Sequence, residues 1–353
     1  MTTPATLSPP KVRIGFVGVG GMGQCAHLRN YALLPDCAVV ALAEARPGLG
    51  AAVARRYGVP HVYTDPAQMM AEQPLDGLVA SQPFDRHGRI ITPLYQSGLP
   101  ILTEKPLASS VGVGEAMLDA LAAGGGWHMV GYHKRSDPAT EAAKAEIDRL
   151  KSTGELGRLT YVRLLTPTGD WIAGGFNDLI TSDEPYPQAP PDTDQPGDSP
   201  YITFVNYYIH QVNLMRYLLG EPYTVTYADP GGVLMAVQTP SGACGTLEMT
   251  PYSTTVDWQE SVLVCFERGW VRIDLPAPLA LNRPGTATFF ADPGDGPPQT
   301  RIPQLPWTHA MRRQAENFVR AIRGEAPPPC EAAEALEDLR VARAYIDLWK
   351  GTH

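Results

Sequence analysis

Residues 12–23 read VRIGFVGVGGMG. A short apolar run, Val12–Val17, passes directly into Gly18-Val19-Gly20-Gly21-Met22-Gly23, and a helical stretch follows from Met22 to about Leu33. A G-x-G-x-x-G between a strand and a helix has a physical reading. Gly18 permits the tight turn, Gly20 lets the backbone approach a pyrophosphate, and Gly23 allows close packing of helix on strand. The helix N-terminus adds N–H groups and a favourable dipole for the phosphates. At the end of the second strand, an acid is expected to accept hydrogen bonds from the adenosine ribose, and Glu44 stands there. Its carboxylate favours NAD. Arg46 is placed to pair with a 2′-phosphate and leaves NADP open.

Outward from this turn, the first third of the chain alternates. Strand patterns at Ala38–Leu42, near Val62, and at Leu78–Ala80, Ile101–Leu102 and His128–Tyr132 are separated by helix patterns such as Ala51–Tyr57, Arg86–Gln96 and Gly112–Ala123. That order predicts a doubly wound parallel sheet, a Rossmann unit, over residues 1–130. From 131 to 353 the grammar changes. A helix (Ala139–Leu150), a strand (Thr160–Leu165), a helix (Phe204–Leu219), closely spaced strands from Thr224 to about Ile273 and two final helices predict an α/β domain on a mostly antiparallel sheet. Residues 183–200, DEPYPQAPPDTDQPGDSP, can form neither a helix nor a central strand, and read as a surface loop, either a lid or an insertion.

Composition narrows the function. The chain has 353 residues, with 28 basic and 37 acidic side chains and a net charge of −9, which argues against a nucleic-acid partner. No apolar run approaches the length of a membrane span, and the polar, Pro-rich start (1–10) carries no leader pattern, so a cytoplasmic location is expected. Five scattered cysteines without C-x-x-C, and eight histidines without H-E-x-x-H, argue against a disulfide framework or a bound metal.

A second motif, Glu104-Lys105-Pro106, lies at the carboxyl end of the fifth strand, where an open α/β sheet faces its ligand. Together with the glycine turn, Glu44, and Gln82-Pro83 followed by His87, it resembles the Gfo/Idh/MocA oxidoreductases, the family of glucose–fructose oxidoreductase and inositol dehydrogenase. The likeness continues through Gly131-Tyr132-His133-Lys134-Arg135, Gly154-Glu155-Leu156-Gly157, the RYLLGE of residues 216–221, and Phe318 to Gly324. It implies that Gly18, Gly20, Met22, Gly23, Glu44, Arg46, Gln82, Pro83, His87, Glu104 and Lys105 form the cofactor site. It also implies a homo-oligomer, dimer or tetramer, assembled on the second domain's sheet.

The family's helical pattern D-x-G-x-H-x-x-D appears here as Asn206-Tyr207-Tyr208-Ile209-His210-Gln211-Val212-Asn213, with both acids replaced by amides. Asn206, His210 and Asn213 share one helical face. The expected chemistry joins Lys105 and His210, with Asn206 orienting the imidazole: histidine takes a hydroxyl proton while lysine stabilises the developing alkoxide. Lys134, Arg135, Trp171, Tyr208 and Asn213 are the candidate substrate contacts; Trp171 either stacks on a sugar ring or packs in the core. The function expected is hydride transfer between NAD(P) and a secondary hydroxyl of a sugar, glycoside or cyclitol. A redox-neutral, NAD-dependent glycoside-cleaving enzyme and a catalytically retired dinucleotide-binding protein are the alternatives.

Overall fold

The computed structural model describes residues 10–186, 189–192 and 199–351. The polar start at 1–9 and part of the Pro-rich segment (187–188 and 193–198) lie outside the described residues.

The first sheet is built from β1 (Val12–Val17), β2 (Cys37–Ala43), β3 (His61–Tyr63), β4 (Gly77–Ala80), β5 (Ile101–Glu104) and β6 (His128–Gly131). All neighbours are parallel, in the order β3-β2-β1-β4-β5-β6. β4, β5 and β6 are buried at every position because helices cover both faces. Those helices include π-wound turns at Gly23–Leu28 running into α1 (Arg29–Tyr31), then α2 (Pro47–Tyr57), α3 (Pro66–Glu72), α4 (His87–Ile90) and α5 (Val111–Gly124). The single helix expected over Arg86–Gln96 is instead α4 between two 3-10 turns, Phe84–Arg86 and Thr92–Ser97. Pro93 lacks the N–H that a continuous helix needs.

After β6 come α6 (Pro138–Thr153), β7 (Leu159–Thr168), α7 (Ser199–Tyr207), α8 (Ile209–Leu219), β8 (Thr224–Ala228), β9 (Leu234–Gln238), β10 (Cys244–Ser253), β11 (Glu260–Phe266), β12 (Gly269–Leu275), β13 (Thr286–Ala291), β14 (Gln299–Arg301), α9 (Ala310–Ile322) and α10 (Ala332–Gly351). Eight strands form the second sheet in the order β14-β13-β12-β11-β7-β10-β9-β8, antiparallel except where β10 pairs β7. β13 and β14 add an edge that the sequence pattern did not reveal. Along β11, buried and half-buried positions alternate, as on a sheet with one packed face. Among the described residues, no helix is long and apolar enough to cross a membrane.

The chain does not leave the first sheet at residue 131. Ala315, Phe318 and Val319 of α9 join the same buried cluster as Ile14, Phe16, Leu102 and Met129. Residues 330 and 331 pair with the free edge of β6, through Val130 N–H to the Cys330 carbonyl (3.0 Å) and a bridge between Met129 and Glu331.

A buried ionic cluster fixes α8 and α10 to the turn after β6. Arg135 donates Nε to Asn213 Oδ1 (2.5 Å) and its Nη groups to Glu334; Asn213 Nδ2 donates to Asp338 Oδ2 (2.7 Å), whose other oxygen takes Arg216. Two guanidinium groups thus face two carboxylates, with the amide bridging them. Asn213→Asp adds a third carboxylate and removes the donor, so it should cost about 1–3 kcal/mol. Adding Asp338→Asn restores the charge balance and should recover most of that loss. Thermal unfolding of both variants is the measurement; an unshifted Asn213→Asp, or a double variant no better than the single, defeats the charge-balance account.

Candidate active site

One cleft of about 1210 Å³ runs along the carboxyl ends of the first sheet and under the second. Its walls include Gly18, Gly20, Met22, Gly23, Glu44, Arg46, Gln82, Pro83, Glu104, Lys105, Lys134, Trp171, Asn206, Tyr208 and His210. Three of the expected site residues are elsewhere. Arg135 and Asn213 are buried in the ionic cluster, because the polar stripe of α8 turns from cleft to interior within one turn. His87 is fully buried, its ring between the Leu107 and Gln82 carbonyls (2.9 and 3.1 Å), where it braces the loop rather than facing the cleft.

At one end, the glycine turn has the shape of a phosphate cradle. Gly18 has φ +85°, and a Cβ there would lie 2.3 Å from Gln82 Nε2 and 2.7 Å from the Ser81 carbonyl. A Cβ on Gly20 would meet only an Arg46 nitrogen at 3.8 Å, so that glycine opens onto the cleft. Glu44 is buried, accepting from Val19 N–H (3.0 Å) and from Arg46 Nε (2.7 Å). Open backbone at a strand-to-helix turn, with a carboxylate at the end of β2, fits a dinucleotide.

A strap from the β7–α7 connection closes over this end. Ile180 exchanges hydrogen bonds with the Gln24 amide (both 3.0 Å). Glu184 accepts from Gly48 and Leu49 N–H (both 2.9 Å), Tyr186 lies 4.9 Å beneath the Arg46 guanidinium, and Asp192 accepts from Gly88 and Arg89 N–H (both 2.9 Å). The segment is a cover on the cleft, with Tyr186 in its lining.

At the other end, α7 stops at Tyr207 and α8 starts at Ile209, with Tyr208 as a joint in the helix expected to be continuous. The joint releases the Asn206 carbonyl from the helical ladder. Lys105 Nζ donates to that carbonyl at 2.6 Å. The amide expected to orient His210 makes no such bond among the described residues: Asn206 acts through its backbone, and its side chain is exposed. His210 Nδ1 is buried without a hydrogen-bond partner among the described residues. The ring packs edge-on against His133 (4.6 Å) and Tyr132 (5.9 Å).

Electrostatics follow from crowding cations into little water. Burial, then His133, Lys105 and Lys134, hold the His210 pKa well below the ordinary imidazole range. Burial pushes the Lys105 ammonium down to about 8; Glu104 opposes and Lys134 adds to the shift. Burial also opposes ionisation of Glu104, but the bond from His27 Nε2 (2.7 Å) and nearby cations outweigh it, and its pKa falls. Lys134 pairs with buried Glu260, whose oxygens also take Gln211 Nε2 (2.8 Å) and Trp258 Nε1 (3.1 Å). Glu260, Trp258 and His27 escaped the sequence reading, each a lone polar or aromatic residue without a motif; His133 and Gln211 stand within the quoted motifs but were not singled out as site residues.

Residues 12–132 match the family model described as "Oxidoreductase family, NAD-binding Rossmann fold", and 200–347 the one described as "Oxidoreductase family, C-terminal alpha/beta domain". Inositol 2-dehydrogenase of Rhizobium meliloti (strain 1021) is 27% identical over 352 residues, 95% of this chain and 96% of the relative. The scyllo-inositol 2-dehydrogenase (NAD(+)) of Bacillus subtilis (strain 168) is 27% identical over 253 residues, 67% of each chain. Among solved structures, the aldose-aldose oxidoreductase of Caulobacter crescentus shares the fold, with a TM-score of 0.71, 20% identity, and coverage of 97% of this chain and 98% of that one.

The two glycines should separate folding from binding. Gly18→Ala meets backbone and side chain at a positive φ, so it should lower both thermal stability and NAD affinity. Gly20→Ala has room in the protein and should unfold within a degree or two of the parent (about 0.5 kcal/mol at most). It should still weaken NAD by tenfold or more in a calorimetric titration. Undiminished NAD affinity in Gly20→Ala would mean that the pyrophosphate does not cross this glycine.

Proposed function

The chain belongs to the Gfo/Idh/MocA oxidoreductase family, and from that premise we propose that it is an NAD-dependent dehydrogenase oxidising a secondary hydroxyl of a cyclitol, sugar or glycoside. The observation that carries this reading is the continuity of the cleft. The glycine turn lies at one end and the Lys105–Asn206 contact, with His210, at the other, so a nucleotide and a small polyol fit end to end. The two named inositol 2-dehydrogenases favour a cyclitol.

Bound NAD supplies the hydride acceptor. His210, uncharged at neutral pH, accepts the hydroxyl proton of the substrate. Lys105, charged below about pH 8, donates to the oxygen as negative charge develops there, and its anchor on the Asn206 carbonyl keeps the ammonium from turning toward Glu104. Lys134, at the cleft wall, is held by its pair with Glu260. Trp171 is 38% exposed at the cleft wall, an apolar surface for the face of a ring.

The pH profile tests the roles. The His210 pKa lies well below 6.5, so neutral imidazole is present throughout the neutral range and the acidic limb falls below it. The Lys105 charge is lost as pH rises through about 8, so kcat/KM for oxidation should decline there. Lys105→Met and His210→Ala should each slow turnover by about 10²–10⁴ while NAD affinity stays near that of the parent. Lys105→Met should also lose the alkaline limb. A rate that keeps climbing above that point would make neutral Lys105 the base and remove His210 from that role. Stoichiometric NADH accumulation is expected; product without NADH would establish redox-neutral cleavage instead.

A further inference from the structure

We infer that Glu184, on the strap contributed by the second half of the chain, is the residue that sets the preference for NAD over NADP. The inference rests on the family's NAD-binding character and not on the identity of the substrate.

In a strand-to-helix dinucleotide site, the adenosine ribose lies beside the end of the second strand, and its 2′ position faces the residues that follow. Here those residues are Glu44 to Leu49. Four features of this corner determine what it accepts. First, Glu44, the acid normally expected to select the ribose, is already engaged: one oxygen takes Val19 N–H and the other takes Arg46 Nε, and the side chain is buried. Second, Arg46 is the guanidinium best placed to receive a 2′-phosphate, but it is drawn onto Glu44 and covered by the Tyr186 ring. Third, α2 opens with two peptide N–H groups, Gly48 and Leu49, whose orphan donors and helix dipole would attract a phosphate. Glu184 accepts from both at 2.9 Å, one per oxygen. Fourth, Ser182 holds that carboxylate in place, with Oγ donating to Oε2 at 2.9 Å and accepting from Glu184 N–H at 3.1 Å.

The strap therefore places a full negative charge on the donors a 2′-phosphate needs. A 2′-hydroxyl carries no charge and can donate to a carboxylate, so the same arrangement tolerates or favours NAD. The effect is electrostatic at an exposed site, so it should weaken as salt rises. It also differs from the usual arrangement in its origin: the selecting carboxylate comes from residue 184, about 140 positions after β2, rather than from the strand end itself.

The experiment is a calorimetric titration of the full chain and of Glu184→Gln and Glu184→Ala with NAD and with NADP, at low and high salt. The parent should bind NAD more tightly. Both variants should gain NADP affinity by about tenfold or more, the scale of one charge-assisted hydrogen bond, while NAD changes by less than about threefold. The parent's discrimination should narrow at high salt, and that of the variants should depend less on salt. An NADP-to-NAD ratio unchanged in both variants overturns the inference. So does a parallel loss of both nucleotides, which would make Glu184 a structural anchor of the strap. A parent that binds neither nucleotide overturns the cofactor reading itself, an outcome distinct from either.

Discussion

The contact on which the site depends is the bond from the Lys105 ammonium to the Asn206 carbonyl. It joins the carboxyl end of a strand in the first sheet to α7, which packs against α8 and α10. The carbonyl would not be available in a continuous helix; it is free because the helix breaks at Tyr208, and Lys105 reaches it from the position directly after β5. A peptide carbonyl can hold a cation without neutralising it, which a carboxylate cannot do. The ammonium therefore stays a strong hydrogen-bond donor in a poorly solvated place, and its charge adds to burial and to His133 in holding His210 uncharged.

Second to this is the way the protein gives its buried acids partners other than Lys105. Glu104 is turned toward His27, Glu260 toward Lys134, and Glu334 and Asp338 toward Arg135 and Arg216. Each acid has its own partner, and Lys105 is left facing the cleft. The two amides at 206 and 213 fit this economy of charge. At 213 the acid is supplied by Asp338 from another helix. At 206 the backbone carbonyl holds Lys105, and the side chain orients nothing among the described residues.

Much of this was legible in the sequence where the signal was local. The glycine turn, Glu44 and Glu104-Lys105 are short motifs at strand ends, and strand ends in a parallel sheet face the crevice whatever the rest of the chain does. Alternating strands and helices likewise yielded the parallel sheet, and closely spaced strands without helices between them yielded the antiparallel one. What failed was long-range. Helical spacing places His210 and Asn213 on one side of α8, but it cannot say that the side passes from cleft to salt cluster within a turn. Arg135 was misplaced for the same reason, since only the return of α10 reveals its partners. β13 and β14 were missed because Gly and Pro surround short, partly polar strands. The Pro-rich segment announced a loop; where its carboxylates land depends on helix N-termini more than a hundred residues earlier.

The return of α9 to the first sheet has a consequence for how the chain is made. On a ribosome, residues 12–131 emerge with all six parallel strands present, yet the cluster around Phe16, Leu102 and Met129 lacks part of its cover until Phe318 and Val319 follow. The β6 edge also stays unpaired until residues 330 and 331 arrive. For nearly two hundred residues of synthesis, the nascent sheet carries an apolar flank beside an open edge, the combination that invites pairing with another chain. The nucleotide-binding half is thus first to be translated and among the last to be completed. An excised fragment ending near residue 130 would retain that unfinished surface permanently.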